Sequence, residues 1–200
     1  IEIDKTVEGS KEEDGEVLAY GENIMLGYHN LPEKTKESIN EDGGLRTGDL
    51  GHLDADGYLY ITGRVKEQYK LENGKYIAPA PLEESLKLSA YIDQVMLYGY
   101  NRPHNVALIV AAMPAVEQYA EGLGISGNSE SILSEPRIRQ LFKEQLERYG
   151  KDFKGYEHPQ NFALLSEEWG IDNGLLTPTL KVKREVVEEQ FKTQIEGLFS

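Results

Sequence analysis

The sequence contains no cysteine. Disulfide bridges, thiolate metal ligands and a cysteine nucleophile are therefore all excluded. Histidine is scarce as well: His29, His52, His104 and His158 are widely spaced with no i, i+4 pair, which argues against a histidine metal motif and predicts surface histidines. No apolar run approaches the roughly 20 residues that cross a bilayer, so no transmembrane segment is expected. The opening stretch from Ile1 to Glu16 is polar and acidic, whereas a secretory signal is basic and then apolar. The expected location is cytoplasmic, with peripheral membrane contact through a longer parent as a variation. Positive charge is also in short supply, with 21 basic residues against 35 acidic ones and a net charge of -14. A field of that sign repels nucleic-acid phosphates and anionic lipid. Nucleic acid is not an expected partner, and any polyanionic ligand has to be held by local cations and backbone N–H groups.

What is present is an ordinary globular composition, 39% hydrophobic and 28% charged over 200 residues, long enough for one domain or two small ones with a real core. The pattern predicts an α+β fold: a small β-rich subdomain over residues 1–65, then a C-terminal α+β domain over 66–200 with a short antiparallel sheet flanked by helices, each segment with its own apolar core. In the first part, GEVLAYGE, NIMLGYH, LRTGDLGHL and YLYITGR are short apolar runs parted by turn chemistry. Asp54-Ala55-Asp56-Gly57 is a hairpin signal and lacks the remaining ligands of a calcium loop. A short helix is expected from Pro32 to Ile39. A second hairpin is expected around Glu72-Asn73-Gly74. Helices are predicted over Pro81 to Leu88 and Ala115 to Glu121, with QVMLYGY and VALIVAAM as two strands between them. Ser134 is expected to cap a helix carrying Ile138, Leu141, Phe142, Leu146 and Tyr149 on one stripe. A last helix turns Val182, Val186, Val187, Ile195, Leu198 and Phe199 inward.

Several motifs have bland readings when taken singly. Gly122-Leu123-Gly124-Ile125-Ser126-Gly127 matches GxGxxG but follows a helical pattern and runs into NSES, where a dinucleotide site needs a strand before and a helix after; it is a loop. Arg46-Thr47-Gly48-Asp49-Leu50-Gly51 could be only a turn, or a turn that offers a carboxylate to ribose hydroxyls. Thr62-Gly63-Arg64-Val65-Lys66-Glu67 could end a strand in a surface cation, or in a clamp for phosphate and ribose.

Their order and separation change the balance. GEVLAYGENIMLGYHNLPEKT, then LRTGDLG, then YLYITGRVKEQYKLENGKYIAPAPLEE, then LTPTLKVKRE resemble four consecutive signature regions of the adenylate-forming family, which includes acyl-CoA synthetases, luciferase and adenylation domains. The likeness covers almost the whole chain. Within that family, GRVKEQYKLENGKYIAP and SEEWGIDNGLLTPTLKVKRE look most similar to the C-terminal part of long-chain fatty acid CoA ligases. Relatives acting on aryl or amino acids usually show Gly-Lys where Leu180-Lys181 stands here.

The resemblance implies two half-reactions. A carboxylate is joined to AMP with loss of pyrophosphate, and a small C-terminal domain then swings so that the acyl group passes to the thiol of CoA. It implies ATP, Mg2+ and CoA as cofactor and co-substrate, with fatty acid, ATP/AMP and CoA as partners. It further implies that Asp49 binds ribose hydroxyls, that Arg64 contacts ribose and phosphate, and that Lys66 is the hinge. Lys181 matches the mobile catalytic lysine of adenylation, and Gly74 and Lys70 lie in the segment that lines the CoA channel. The bland alternative for Lys181 is one more cation, with Lys183 and Arg184, at a solvated helix start, where it would oppose the helix dipole.

The family's phosphate loop and its adenine- and magnesium-placing segment have no counterpart in this sequence. The expectation is a fragment, inactive alone, whose partner is the remainder of an N-terminal domain that holds most of the Mg2+ site. Two further readings are a fatty acyl-AMP ligase that loads a carrier protein and a non-catalytic binding or regulatory module.

Overall fold

The structure, a computed structural model, describes residues 1–10 and 13–200. Two compact units divide the chain, Ile1–Gln68 and Tyr69–Ser200.

The first unit is an antiparallel four-stranded meander of β1 (Glu2–Asp4), β2 (Gly15–Ala19), β3 (Leu45–Leu53) and β4 (Leu59–Arg64), in that order. The β3–β4 turn is built by its own side chain: Asp54 Oδ1 accepts the N–H groups of Asp56 and Tyr58, and Gly57 takes φ +83°. Glycine is required there because a Cβ at that φ is strained. A short helix, α1 (Pro32–Ser38), lies between β2 and β3 and starts on its proline. The NIMLGYH run is not a strand. It falls in the turns before α1 with Met25, Leu26 and Tyr28 exposed, because its apolar residues have no neighbouring strand face to cover. β1 was not anticipated, since three residues are too few to show an alternation.

Among the described residues the buried apolar side chains of this unit are Val17, Leu18 and Leu50. The apolar core expected for the segment is therefore thin. Polar ties supplement it: Arg46 Nη1 donates to Glu16 Oε2 at 2.7 Å and to Asp4 Oδ2 at 3.0 Å, joining β3, β2 and β1.

The second unit opens with a small hairpin, β5 (Tyr69–Lys70) and β6 (Tyr76–Ile77), closed by Asn73 and by Gly74 at φ +83°. Then come α2 (Pro79–Leu86), β7 (Ile92–Tyr98), β8 (Asn105–Ala111), α3 (Met113–Gly122), α4 (Ser129–Ser134), α5 (Pro136–Gly150) and β9 (Pro159–Leu165). The chain ends in α6 (Arg184–Gln190) and α7 (Lys192–Gly197). The sheet order is β7-β8-β9. β7 and β8 are antiparallel, as expected, and β9 joins β8 in parallel, a third strand that its half-polar sequence concealed.

Every residue of β8 is buried, which explains its unbroken apolar run. Ala107, Ile109 and Ala111 face a cluster with α2, α3, α4 and α5, centred on Phe142, Ile138 and Leu86. Val106, Leu108 and Val110 face another with Trp169, Leu175, Val187, Phe191 and Ile195. The alternation follows from the period of two along a strand.

Three local expectations are corrected. Ser134 does not cap α5; it closes α4, whose N-cap is Asn128, accepting from Ser131 N at 2.9 Å, and Pro136 takes the first turn of α5. The stripe from Ile138 to Leu146 is buried as expected. The last helix is two short helices. Val182 precedes them in a bridge to Leu176, and Val186 is exposed. Two of the histidines are less superficial than expected: His52 pairs with Asp14 at 2.7 Å and stacks on Tyr60, while His158 packs against Gly150; His29 is exposed, as expected. Among the described residues no helix is long and apolar enough to cross a membrane.

Candidate functional site

β3 and β4 place Asp49 and Arg64 directly opposite one another in register. Arg64 Nε lies 3.1 Å from Asp49 Oδ1, and Asp49 Oδ2 accepts no hydrogen bond among the described residues. A carboxylate steered by a guanidinium on one oxygen and open on the other can accept a vicinal diol. The turn that carries it is rigid. Asp49 N donates to Thr47 Oγ1, which itself donates to Val17 O at 2.8 Å. Gly48, at φ +74°, donates its N–H to Glu16 Oε1. The buried carboxylate of Glu16 thus holds both Arg46 and Gly48, and its hydrogen bond is the first cause of the Arg46 guanidinium holding its proton more tightly than usual. Sequence reading missed Glu16, because a glutamate beside a turn glycine looks like a surface residue.

Lys66 is exposed in a single 3-10 turn, Val65–Glu67, two residues before the end of the first unit. No charged partner holds it among the described residues.

In the second unit Gly74 stands at the open tip of the first hairpin, and Lys70 reaches back over the Tyr76 ring at 5.0 Å. Behind the hairpin Tyr69 is anchored, its hydroxyl donating to Asn105 Oδ1 at 2.8 Å. Burial pushes that phenol far above its ordinary value, so it serves as a fixed donor.

Lys181 sits on a tight loop. Thr177 N donates to Lys181 O at 2.8 Å, Lys181 N donates to Thr177 Oγ1 at 3.0 Å, and Leu176 bridges Val182. Leu180 takes φ +60°, a conformation that costs a branched residue about 1–2 kcal/mol and glycine almost nothing. The Lys181 ammonium is exposed and has no ion pair among the described residues, whereas Arg184 is half-buried and engaged. It pairs with Glu83 of α2, whose other oxygen accepts Leu97 N at 2.7 Å. Among the described residues no group of three or more histidines and carboxylates could hold a metal ion.

A family model of the AMP-binding enzyme C-terminal domain matches residues 66–126. Long-chain-fatty-acid–CoA ligase 5 of Rattus norvegicus is 35% identical over 189 residues, 93% of this chain and 28% of that protein. The chain belongs to the adenylate-forming family. Long-chain-fatty-acid–CoA ligase 1 of Homo sapiens, 34% identical, aligns with all of this chain and 29% of its own. The chain thus spans little more than a quarter of the length of those relatives. Its fold is similar to the adenylation domain of a carboxylate reductase from Mycobacterium chelonae, with TM-score 0.75, 27% identity, and coverage of 93% of this chain and 28% of that one. The A domain of a carboxylic acid reductase from Segniliparus rugosus, solved with AMP and a co-purified carboxylic acid, gives TM-score 0.73 at 25% identity, covering 93% and 28%.

Proposed function

We propose that this chain is the C-terminal part of an AMP-forming long-chain fatty acid CoA ligase and supplies part of the nucleotide site, the mobile lysine of adenylation and the hinge between the two half-reactions. The observation that carries the reading is the pairing of Asp49 with Arg64 across β3 and β4, two residues distant in sequence that one nucleotide would engage together. Asp49 accepts the ribose hydroxyls and Arg64 donates to ribose and phosphate. In the first step the fatty acid carboxylate attacks the α-phosphorus of ATP, the bond to the β-phosphate oxygen breaks, and pyrophosphate leaves. Negative charge gathers on the phosphoryl oxygens, where a preorganised ammonium lowers the barrier without being consumed; Lys181 has that role. In the second step the thiol of CoA loses its proton and attacks the acyl carbonyl, and AMP departs. Lys66 is the pivot between the two arrangements, and the hairpin of Lys70 and Gly74 lines the channel through which the CoA thiol arrives. Among the described residues no cluster of carboxylates and histidines fits a Mg2+ ion.

The relatives support the substrate class, since those proteins are long-chain fatty acid CoA ligases. A second reading, transfer of the acyl group to a carrier protein, draws support from the likeness to an A-PCP didomain of Segniliparus rugosus solved with AMP, TM-score 0.73 at 26% identity. Presenting CoA and a phosphopantetheinyl carrier side by side as acceptors separates the two.

The test is Lys181→Ala in the full-length ligase carrying this segment. ATP–pyrophosphate exchange falls about 10²–10³-fold, the usual cost of one lost charge contact to a transition state, while CoA transfer from presupplied acyl-adenylate stays within a few-fold. Lys183→Ala, two residues away, is the control. Equal small losses for both substitutions rule out the assignment.

A further inference from the structure

We propose that Arg184, held by the buried carboxylate of Glu83, is the positioning residue that fixes where the Lys181 ammonium is delivered; the proposal rests on the reading of Lys181 given above. The lysine side chain is exposed and unpaired among the described residues, so its own contacts do not aim it. Aim has to come from the backbone. Upstream, the loop is set by the Thr177–Lys181 hydrogen bonds, the Leu176–Val182 bridge and the bond from Lys183 N to Leu175 O at 2.9 Å. Downstream, three residues after Lys181, the Arg184 guanidinium spans two elements of the core: Nη2 meets Glu83 Oε2 of α2, and Nη1 reaches Leu97 O of β7 at 3.4 Å. Glu83 is 7% exposed and its Oε1 is taken by Leu97 N. The carboxylate is therefore fixed before Arg184 arrives, and the arginine docks on a rigid acceptor.

Mere attachment of α6 does not need this pair. Val187, one turn on, is fully buried and already holds the helix to the core. A buried ion pair adds little stability over an apolar contact of the same size. What a two-pronged guanidinium adds is direction, fixing the first turn of α6 and the loop that precedes it. A shift of about 1 Å in a reacting group can cost on the order of 10²-fold in rate.

The experiment is a double-mutant cycle in the full-length ligase. Arg184→Met lowers kcat for ATP–pyrophosphate exchange about 10- to 100-fold with the KM for ATP nearly unchanged. It spares CoA transfer from presupplied acyl-adenylate, and Arg184→Lys recovers part of the loss. In the Lys181→Ala background Arg184→Met costs nothing further, because no ammonium remains to be aimed. The proposal is overturned if the two losses multiply, if both half-reactions fall together, or if Arg184→Met is silent while Lys181→Ala alone is severe. A silent Lys181→Ala instead overturns the underlying reading of that lysine, so the two failures are distinguishable.

Discussion

In the unit Ile1–Gln68 the buried apolar side chains among the described residues are Val17, Leu18 and Leu50, whereas in Tyr69–Ser200 the single strand β8 buries seven consecutive residues with an apolar cluster on each face. The first unit compensates with hydrogen-bonded charge, Arg46 with Glu16 and Asp4, and it leaves Leu53, Tyr58, Leu59, Tyr60 and Ile61 at its surface. The second unit rests on apolar burial, and its ion pair with a buried carboxylate, Glu83 with Arg184, ties α6 to α2. Nonpolar burial supplies stability in proportion to area, and ion pairs supply geometry more than stability. A carboxylate on a polar framework and a lysine loop on an apolar core are two solutions to holding a charge still.

The strongest way to break that comparison is to separate the halves. Residues 69–200 expressed alone give a cooperative thermal transition in calorimetry, and residues 1–68 alone give none, because a small chain with so little buried apolar surface falls short of the ordering entropy. A sharp transition from 1–68 would show that the polar ties suffice by themselves. Within the second unit, Phe142→Ala lowers unfolding free energy in urea by about 3–5 kcal/mol, since Phe142 is fully buried at the centre of its cluster. Leu59→Ala in the first unit stays within about 0.5 kcal/mol.

Arg46→Met comes next, at about 1–3 kcal/mol for stranding the carboxylate of Glu16. Hydrogen exchange should show the loss at the amides of β1, β2 and β3 and none at β8; equal loss in both units would contradict the separation. The smallest effect concerns acid. The Thr6 hydroxyl, bonded to Asp4 Oδ1 at 2.6 Å, is the first cause of the Asp4 carboxyl titrating below its ordinary 3.8, with Thr6 N and Arg46 assisting. A lowered folded value means the contribution is complete above about 3.8 and disappears as pH falls through the folded value. Carboxyl titration by NMR checks it, and Thr6→Val should return Asp4 toward 3.8.

Much of the second unit could be read from the sequence because its signals are local. The unbroken run of β8 and the stripe on α5 each declare burial within a few residues, and Asn73-Gly74 declares its turn. β9 escaped notice because Pro159, Gln160 and Asn161 interrupt any alternation, and only its parallel neighbour β8 makes it a strand. The break between α6 and α7 escaped for a similar reason: Phe191 satisfies a helical stripe while the backbone turns beneath it. NIMLGYH misled in the other direction, since apolar content without a partner surface specifies no element.

By itself, the sequence determined the class of fold, the hairpins and the order of the four motifs, because turn chemistry and hydrophobic period act over a few residues. Tertiary structure alone decided that Asp49 faces Arg64 across two strands, that Glu16 steadies the turn beneath them, and that Arg184 meets Glu83 across 101 positions. Those pairings depend on strand register and on one helix packing beside another. Nothing in the local sequence encodes a contact that forms only when distant segments meet in a common core.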